Sequence, residues 1–254
     1  MLTINPSTDL AYNTGYSVEF GYGTIKDLAG NNFAATNSYN FAAVSYSTIT
    51  GTRTNDTLFG GTGDDSIDGG EGIDVSSYRG LRSNFLIAKI ESGWTLTDTV
   101  GSEGIDTLTH IERLTFADTR LALDLAPTEH AGQALEFIGL MAPGLIQTPA
   151  VVGSILKIFD QGSSLRDVCQ LALDVGLVNS IAGSNSNSDL AAMAFHNLTD
   201  AEADAATVDL LVAYMDGRTA SYTQADFMAI VADLDLNQTH IGLMGIQQTG
   251  IEYA

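Results

Sequence analysis

The chain has 254 residues, room for more than one compact unit, and with 26 glycines and 16% charged residues it is too glycine-rich and charge-poor for an ordinary helical globule. Ten Lys and Arg face 31 Asp and Glu, a net charge of −21, and no stretch is basic, which makes nucleic acid and anionic membrane surfaces poor partners. No apolar run approaches the roughly 20 residues that a membrane span needs, and Met1 is not followed by the charged and apolar regions of a conventional signal peptide.

Residues 1–44 read as β. Tyr16-Ser-Val-Glu-Phe20 alternates, Asp27-Leu-Ala-Gly-Asn31 is a turn, and Tyr39-Asn-Phe41 resumes the strand signal. The string from Asn5 to Phe20, with Lys26-Asp-Leu-Ala-Gly-Asn31 after it, is similar to the second half of a bacterial immunoglobulin-like module. The first half is missing, so the resemblance implies an exposed apolar face and a fragment of a longer protein.

Residues 45–126 hold a nine-residue repeat. In register it reads Gly51-Thr-Arg-Thr-Asn-Asp56-Thr-Leu58-Phe, Gly60-Gly61-Thr-Gly63-Asp-Asp65-Ser-Ile67-Asp, and Gly69-Gly70-Glu-Gly72-Ile-Asp74-Val-Ser76-Ser. The middle copy fits G-G-x-G-x-D-x-U-x at every defined position, the calcium-binding β-helix pattern. Glycines at positions one, two and four permit tight turns with inward carbonyls, and the Asp at position six adds a hard anionic oxygen. Each copy makes a half-turn, with Leu58 or Ile67 pointing between two sheets. Alternate loops therefore share an edge: Gly51–Asp56 faces Gly69–Asp74, so a Ca2+ ion between them would use Asp56 and Asp74 with backbone carbonyls. The Gly60–Asp65 loop needs a partner from flanking chain. Thr52 and Thr54 replace glycines in the first copy and Ser76 replaces the inward aliphatic in the third, so one well-formed site is expected, with one or two calcium ions in all.

These residues resemble the hemolysin-type (RTX) calcium-binding repeats of type I secreted bacterial proteins. The likeness continues through Asp74-Val-Ser-Ser-Tyr-Arg-Gly80, a hairpin over Asn84–Asp98 centred on Trp94, and Gly104–Asp118, which look like the cap of such a roll. Gly101-Ser-Glu-Gly-Ile-Asp106 repeats the lettering of Gly69–Asp74; Asp106 is read as a structural turn residue, with a ligand role as the alternative. The resemblance implies a short parallel β-roll, Ca2+ at Asp56, Gly60, Gly61, Gly63, Asp65, Gly69, Gly70, Gly72 and Asp74, a type I exporter as partner and an extracellular location.

Past Pro127 the apolar period lengthens to about 3.6 and residues 127–254 read as all-α. Thr148-Pro149 starts a helix; Ser164…Asp167, Thr199…Glu202 and Thr223…Asp226 have capping-box spacing; Gly162, Gly183 and Gly217 fall where helices stop. Leu140–Gly162 can be laid ungapped on Phe195–Gly217, each followed by a capped helix. This predicts two related helical hairpins sharing a core of Ile155, Leu156, Phe159, Leu210, Leu211, Tyr214, Phe227 and Ile230. Asn185–Ala254 resembles an uncharacterised helical domain that follows calcium repeats in secreted proteins, with Thr199-Asp-Ala-Glu202 in place of that domain's usual Gly-Arg-x-Pro-Asp.

Cys169 is alone in an apolar helical pattern and is read as an inert buried thiol. None of His110, His130, His196 and His240 begins an H-E-x-x-H motif, and there is no G-x-S-x-G elbow, so the protease and lipase signatures are both missing. The fold class expected is α+β in three regions. The function expected is a non-catalytic, calcium-stabilised tail serving type I export, folding outside the cell and attachment to a surface polysaccharide or surface-layer protein. The alternative is the C-terminal support of an extracellular enzyme whose catalytic domain lies upstream.

Overall fold

The computed structural model describes residues 6, 10, 11, 14–32, 36–43 and 46–254, so part of the Asn5–Phe20 string and the boundary drawn at residue 44 lie outside the described residues. Near the N-terminus, strands β1 (Gly15–Phe20) and β2 (Thr36–Ala42) pair antiparallel. Tyr16 stacks on Phe41 at 5.7 Å between ring centroids. The turn at Asp27 is held by its own carboxylate, which accepts from the Ala29 and Asn31 backbone N–H groups at 2.9 Å.

From residue 48 the chain builds two five-stranded sheets that face each other. One has the order β3 (Thr48–Thr50), β5 (Ser66–Asp68), β9 (Ile105–Thr109), β8 (Gly93–Asp98), β7 (Phe85–Ile90). The other runs β4 (Thr57–Leu58), β6 (Val75–Ser77), β10 (Arg113–Thr115), β11 (Arg120–Ala122), β12 (Ile251–Tyr253). In each sheet the first three strands are parallel and the last two antiparallel. Period-two alternation sends Ile67, Leu96, Leu108 and Leu114 between the sheets, where each is at most 1% exposed. Burial of each contributes roughly 1.5–3 kcal/mol. Tyr78, Phe85 and Phe116 close one end with centroids 5.1–5.7 Å apart. The expected hairpin turns between Ile90 and Gly93; Trp94 is not at its centre but on β8, opposite Lys89 and facing the core.

The helical region packs around α1 (His130–Met141), which is buried over almost its whole circumference. Around it lie α2 (Pro149–Asp160), α3 (Leu165–Asp174), α4 (Leu177–Ala182), α5 (Asn187–Thr199), α6 (Ala205–Val212), α7 (Gln224–Ala232), α8 (Asp235–His240) and α9 (Leu243–Ile246). Pro149 opens α2, reciprocal capping boxes open α3 at Ser164 and α7 at Thr223, and Gly162 and Gly183 take positive φ at helix ends; Gly217 also has positive φ but lies in a turn beyond the C-cap of α6 at Ala213, which it does not terminate. Thr199, in contrast, ends a helix. Its hydroxyl donates to the Phe195 carbonyl, and α5 begins earlier, where Ser186 accepts from the Asp189 N–H. Asp204 caps α6.

The predicted shared core is only partly formed. Leu156, Phe159 and Phe227 are buried and Ile155 and Leu211 flank them, but Leu210, Tyr214 and Ile230 are 61%, 37% and 46% exposed. The reason is asymmetric cover. The β12 segment lies along α2, where the Ala254 N–H donates to the Pro149 carbonyl and a Cβ on Gly153 would overlap the Ala254 carbonyl oxygen. No residue of α6 is fully buried.

A buried ion cluster joins the sheets to the helices. Arg113, 2% exposed on β10, donates from one guanidinium nitrogen to Asp124 and from another to Asp160 at 2.8 Å, and its guanidinium lies over the Tyr253 ring. His130 reaches the same Asp160 oxygen at 3.0 Å.

Candidate metal centre

Because successive copies cross from sheet to sheet, the loops stack along two opposite edges. On the near edge Gly51–Asp56 lies over Gly69–Asp74, which lies over His110–Glu112; on the far edge the order is Ser47, Gly60–Asp65, Gly101–Asp106. The strand registers Thr57↔Val75 and Ser66↔Thr107 fix both stacks. The sequence pairs Asp56 with Asp74, and the structure brings them together. The flanking partner of the Gly60–Asp65 loop is the Gly101–Asp106 loop.

The same hydrogen bond recurs at every rung. The Asp56 N–H donates to Asp74 Oδ1 and the Asp74 N–H to Glu112 Oε2, both at 2.7 Å. On the far edge the Ser47 N–H donates to Asp65 Oδ1 at 2.7 Å and the Asp65 N–H to Asp106 Oδ1 at 3.0 Å. Each carboxylate thus spends one oxygen on the preceding rung. The other oxygen differs between copies. Asp65 Oδ2 and Asp74 Oδ2 are buried without a hydrogen-bond partner, in side chains only 2% and 0% exposed. Asp56 Oδ2 is occupied, accepting from the Thr52 N–H at 2.5 Å and the Thr52 hydroxyl at 2.8 Å.

The worn copy therefore fills its own acceptor. In the intact copies position two has φ of 103° at Gly61 and 96° at Gly70, a region that Thr52 does not enter. Close approach explains the first glycine: a Cβ on Gly69 would meet both Asp74 Oδ2 and the His110 carbonyl oxygen, so these two oxygens converge on one point.

An unpartnered buried carboxylate oxygen costs about 1–3 kcal/mol, and two of them at equivalent rungs, beside turn carbonyls, suit a hard cation that takes oxygen ligands. Among the described residues no three His, Cys, Asp or Glu side chains cluster as a ligand set, so an ion held here also draws on backbone carbonyls. Burial pushes the Asp106 carboxyl up to about 7, with the charges of Asp65 and Glu103 adding to the effect. Glu112 is also raised, by burial first and by Asp74. The His110–Asp68 hydrogen bond, 2.8 Å, raises the imidazole and lowers the carboxyl; His110 itself sits at φ 50°. His196 lies 3.3 Å from Glu202 at the helix surface and His240 3.8 Å from Asp200 at the core edge, away from both edges.

Glu112 and Glu103 were not among the expected site residues. A signal for Glu112 exists: an acid two residues before an inward aliphatic, as in Asp56-Thr-Leu58 and Asp65-Ser-Ile67, recurs in Asp106-Thr-Leu108 and Glu112-Arg-Leu114.

Comparison with known proteins places two families on the N-terminal part of the chain. Residues 1–48 match the bacterial Ig-like domain, and residues 48–75 match the RTX calcium-binding nonapeptide repeat. No curated protein and no solved structure matches the chain. The ladder of in-phase aspartates is thus a set of RTX nonapeptide repeats, which bind Ca2+, following a bacterial Ig-like domain.

Proposed function

We propose that this chain is a non-catalytic, calcium-stabilised region of a secreted or cell-surface bacterial protein, in which a short β-roll supports type I export, folding outside the cell and surface association. The observation that carries the reading is the pair of buried, unpartnered oxygens on Asp65 and Asp74. On the near edge the ion lies between the Gly51–Asp56 and Gly69–Asp74 loops, with Asp74 as the principal carboxylate and Asp56, already engaged by Thr52, as the weaker one. Gly69, Gly70 and Gly72 shape that loop, and Gly60, Gly61 and Gly63 shape its far-edge counterpart around Asp65. Held among protein oxygens, such an ion acts as a staple.

A non-catalytic role is supported by the one cysteine, whose thiol is buried and pushed up to about 12 by desolvation. The Ig-like match favours a stalk over the support of an enzyme. The partners proposed are an exporter of the type I class and a surface polysaccharide or surface-layer protein.

Calorimetric titration of the chain with calcium tests the site. Asp56→Asn with Asp74→Asn should abolish the near-edge binding event; unchanged isotherms would defeat the assignment. A reporter joined to residues 45–254 and produced with a type I exporter should appear outside the cell, and retention inside would count against the export role.

A further inference from the structure

We propose that Gly101–Asp106 is a displaced repeat, and that it closes a second calcium site with the Gly60–Asp65 loop in which Asp65 and Glu103 supply carboxylate oxygens and Asp106 locks the rung in register. This inference rests on the calcium reading of the repeats but concerns residues beyond the segment that matches the repeat family, which ends at residue 75.

The displacement is visible in the spacing. The rung hydrogen bonds from Asp56 to Asp74 and from Ser47 to Asp65 each span 18 residues; Asp65 and Asp106 make the same bond across 41. The extra chain is the β7–β8 hairpin, which loops out and returns. On return the loop resumes the repeat position by position. Asn55 at position five accepts from the Ile73 N–H at 3.0 Å, and Asp64 at position five accepts from the Ile105 N–H at 2.8 Å. Position six follows with Asp74 under Asp56 and Asp106 under Asp65. Strand pairing then continues with Ile67 opposite Leu108 as Leu58 is opposite Ser76. Gly104 stands at position four with φ 78°, and a Cβ there would overlap the Gly63 carbonyl oxygen and press on Asp64 Oδ1. The two loops touch as closely as two genuine copies.

The second, independent observation is unsatisfied oxygen. Asp65 Oδ2 and Glu103 Oε2 are both buried without hydrogen-bond partners, on side chains 2% and 8% exposed. Glu103 Oε1 is fixed by the Arg79 N–H at 3.1 Å, which orients the carboxylate and leaves its other oxygen free. Asp106 interacts electrostatically with both acids, so all three carboxylates share one neighbourhood. Positively charged groups do not balance this cluster: no salt bridge is made by Asp65, Glu103 or Asp106 among the described residues. A divalent cation with carbonyl ligands from the two turns answers both the unmet oxygens and the unmet charge.

The test is to count bound calcium by native mass spectrometry in the whole chain and in Glu103→Gln, Asp106→Asn and Asp74→Asn, with hydrogen exchange of each loop alongside. Glu103→Gln keeps the acceptor for Arg79 and Asp106→Asn keeps the acceptor for Asp65, so both variants retain the rung. The unchanged chain should bind one ion at each edge, with calcium slowing exchange in residues 60–65 and 101–106 at least tenfold. Glu103→Gln should lose one ion and that slowing, while residues 51–56 and 69–74 still respond. Asp74→Asn should do the reverse. Asp106→Asn, which keeps the rung acceptor, should keep both ions. If Glu103→Gln binds as many ions as the unchanged chain, or calcium leaves residues 101–106 unprotected in the unchanged chain, the displaced repeat is refuted while the near-edge site stands. If only Asp74→Asn has no effect, the near-edge assignment fails and the far-edge one survives.

Discussion

The sheet region and the helical region treat buried carboxylates in opposite ways. At the edges of the sheets, Asp65 and Asp74 each give one oxygen to a backbone N–H and leave the other unmet. At the border of the helices, Asp124 and Asp160 share a cation carried by the chain itself, Arg113. Glu136 on α1 has no cation and is held neutral: burial, helped by Asp233, pushes it up to about 8 while Gln238 donates to it at 2.8 Å. On the calcium reading proposed above, the sheet region takes its cation from the medium, whereas the helical region answers its buried carboxylates with Arg113 or by protonation.

The comparison breaks most sharply at Arg113. Arg113→Met leaves Asp124 buried and unpaired, a loss of about 3–5 kcal/mol, and thermal melts should show it equally with calcium and with chelator. A loss seen only with calcium would mean that the ion cluster belongs to the sheet region alone. Glu136 gives the helical region its own pH signature. Its folded pKa lies above the ordinary value of 4.5, so its stabilising effect is complete below that value and is lost as pH rises to about 8. Measured in chelator, the melting temperature should fall by several degrees across that window, and Glu136→Gln should flatten the slope. Removing calcium acts on the other side. With about 1 mM calcium and a dissociation constant near 0.1 mM, chelation withdraws only about 1.4 kcal/mol per site; exchange should quicken in the edge loops and stay unchanged in α1, and equal acceleration in both would erase the distinction. The smallest effect is expected from Thr52→Gly, which removes the hydroxyl donor to Asp56 Oδ2 and opens position two to the positive φ of the intact copies, and should tighten near-edge binding a few-fold, about 0.5–1 kcal/mol. Weaker binding would show that Thr52 organises the loop.

Much of this arrangement is legible locally. The phase of Asp56, Asp65 and Asp74, the alternate-edge pairing and the starts of α2, α3 and α7 all follow from short-range chemistry. What is hidden is long-range. Nothing near residue 251 announces that β12 will join β11, and that strand is what covers α2 but not α6, so Leu210 and Tyr214 belong to a repeated pattern and still face solvent. Thr199…Glu202 and Ser186…Asp189 carry the same capping letters, and only the packing of α5 on α1 selects the second. Glu112 escapes because the inserted hairpin hides the repeat to which it belongs.

The pairing of β11 with β12 also sets how the molecule would carry load. These strands are antiparallel with Arg120 opposite Tyr253, so tension applied before Arg120 and after Tyr253 pulls on the same end of the pair. Such a joint opens one hydrogen bond at a time and yields at low force, whereas strands sheared along their length resist together. Until it opens, the helices between residues 123 and 250 lie outside the load path. Once it does, they come under strain with β12 already stripped from α2, and the chain lengthens in two steps that a single-molecule pulling trace would resolve.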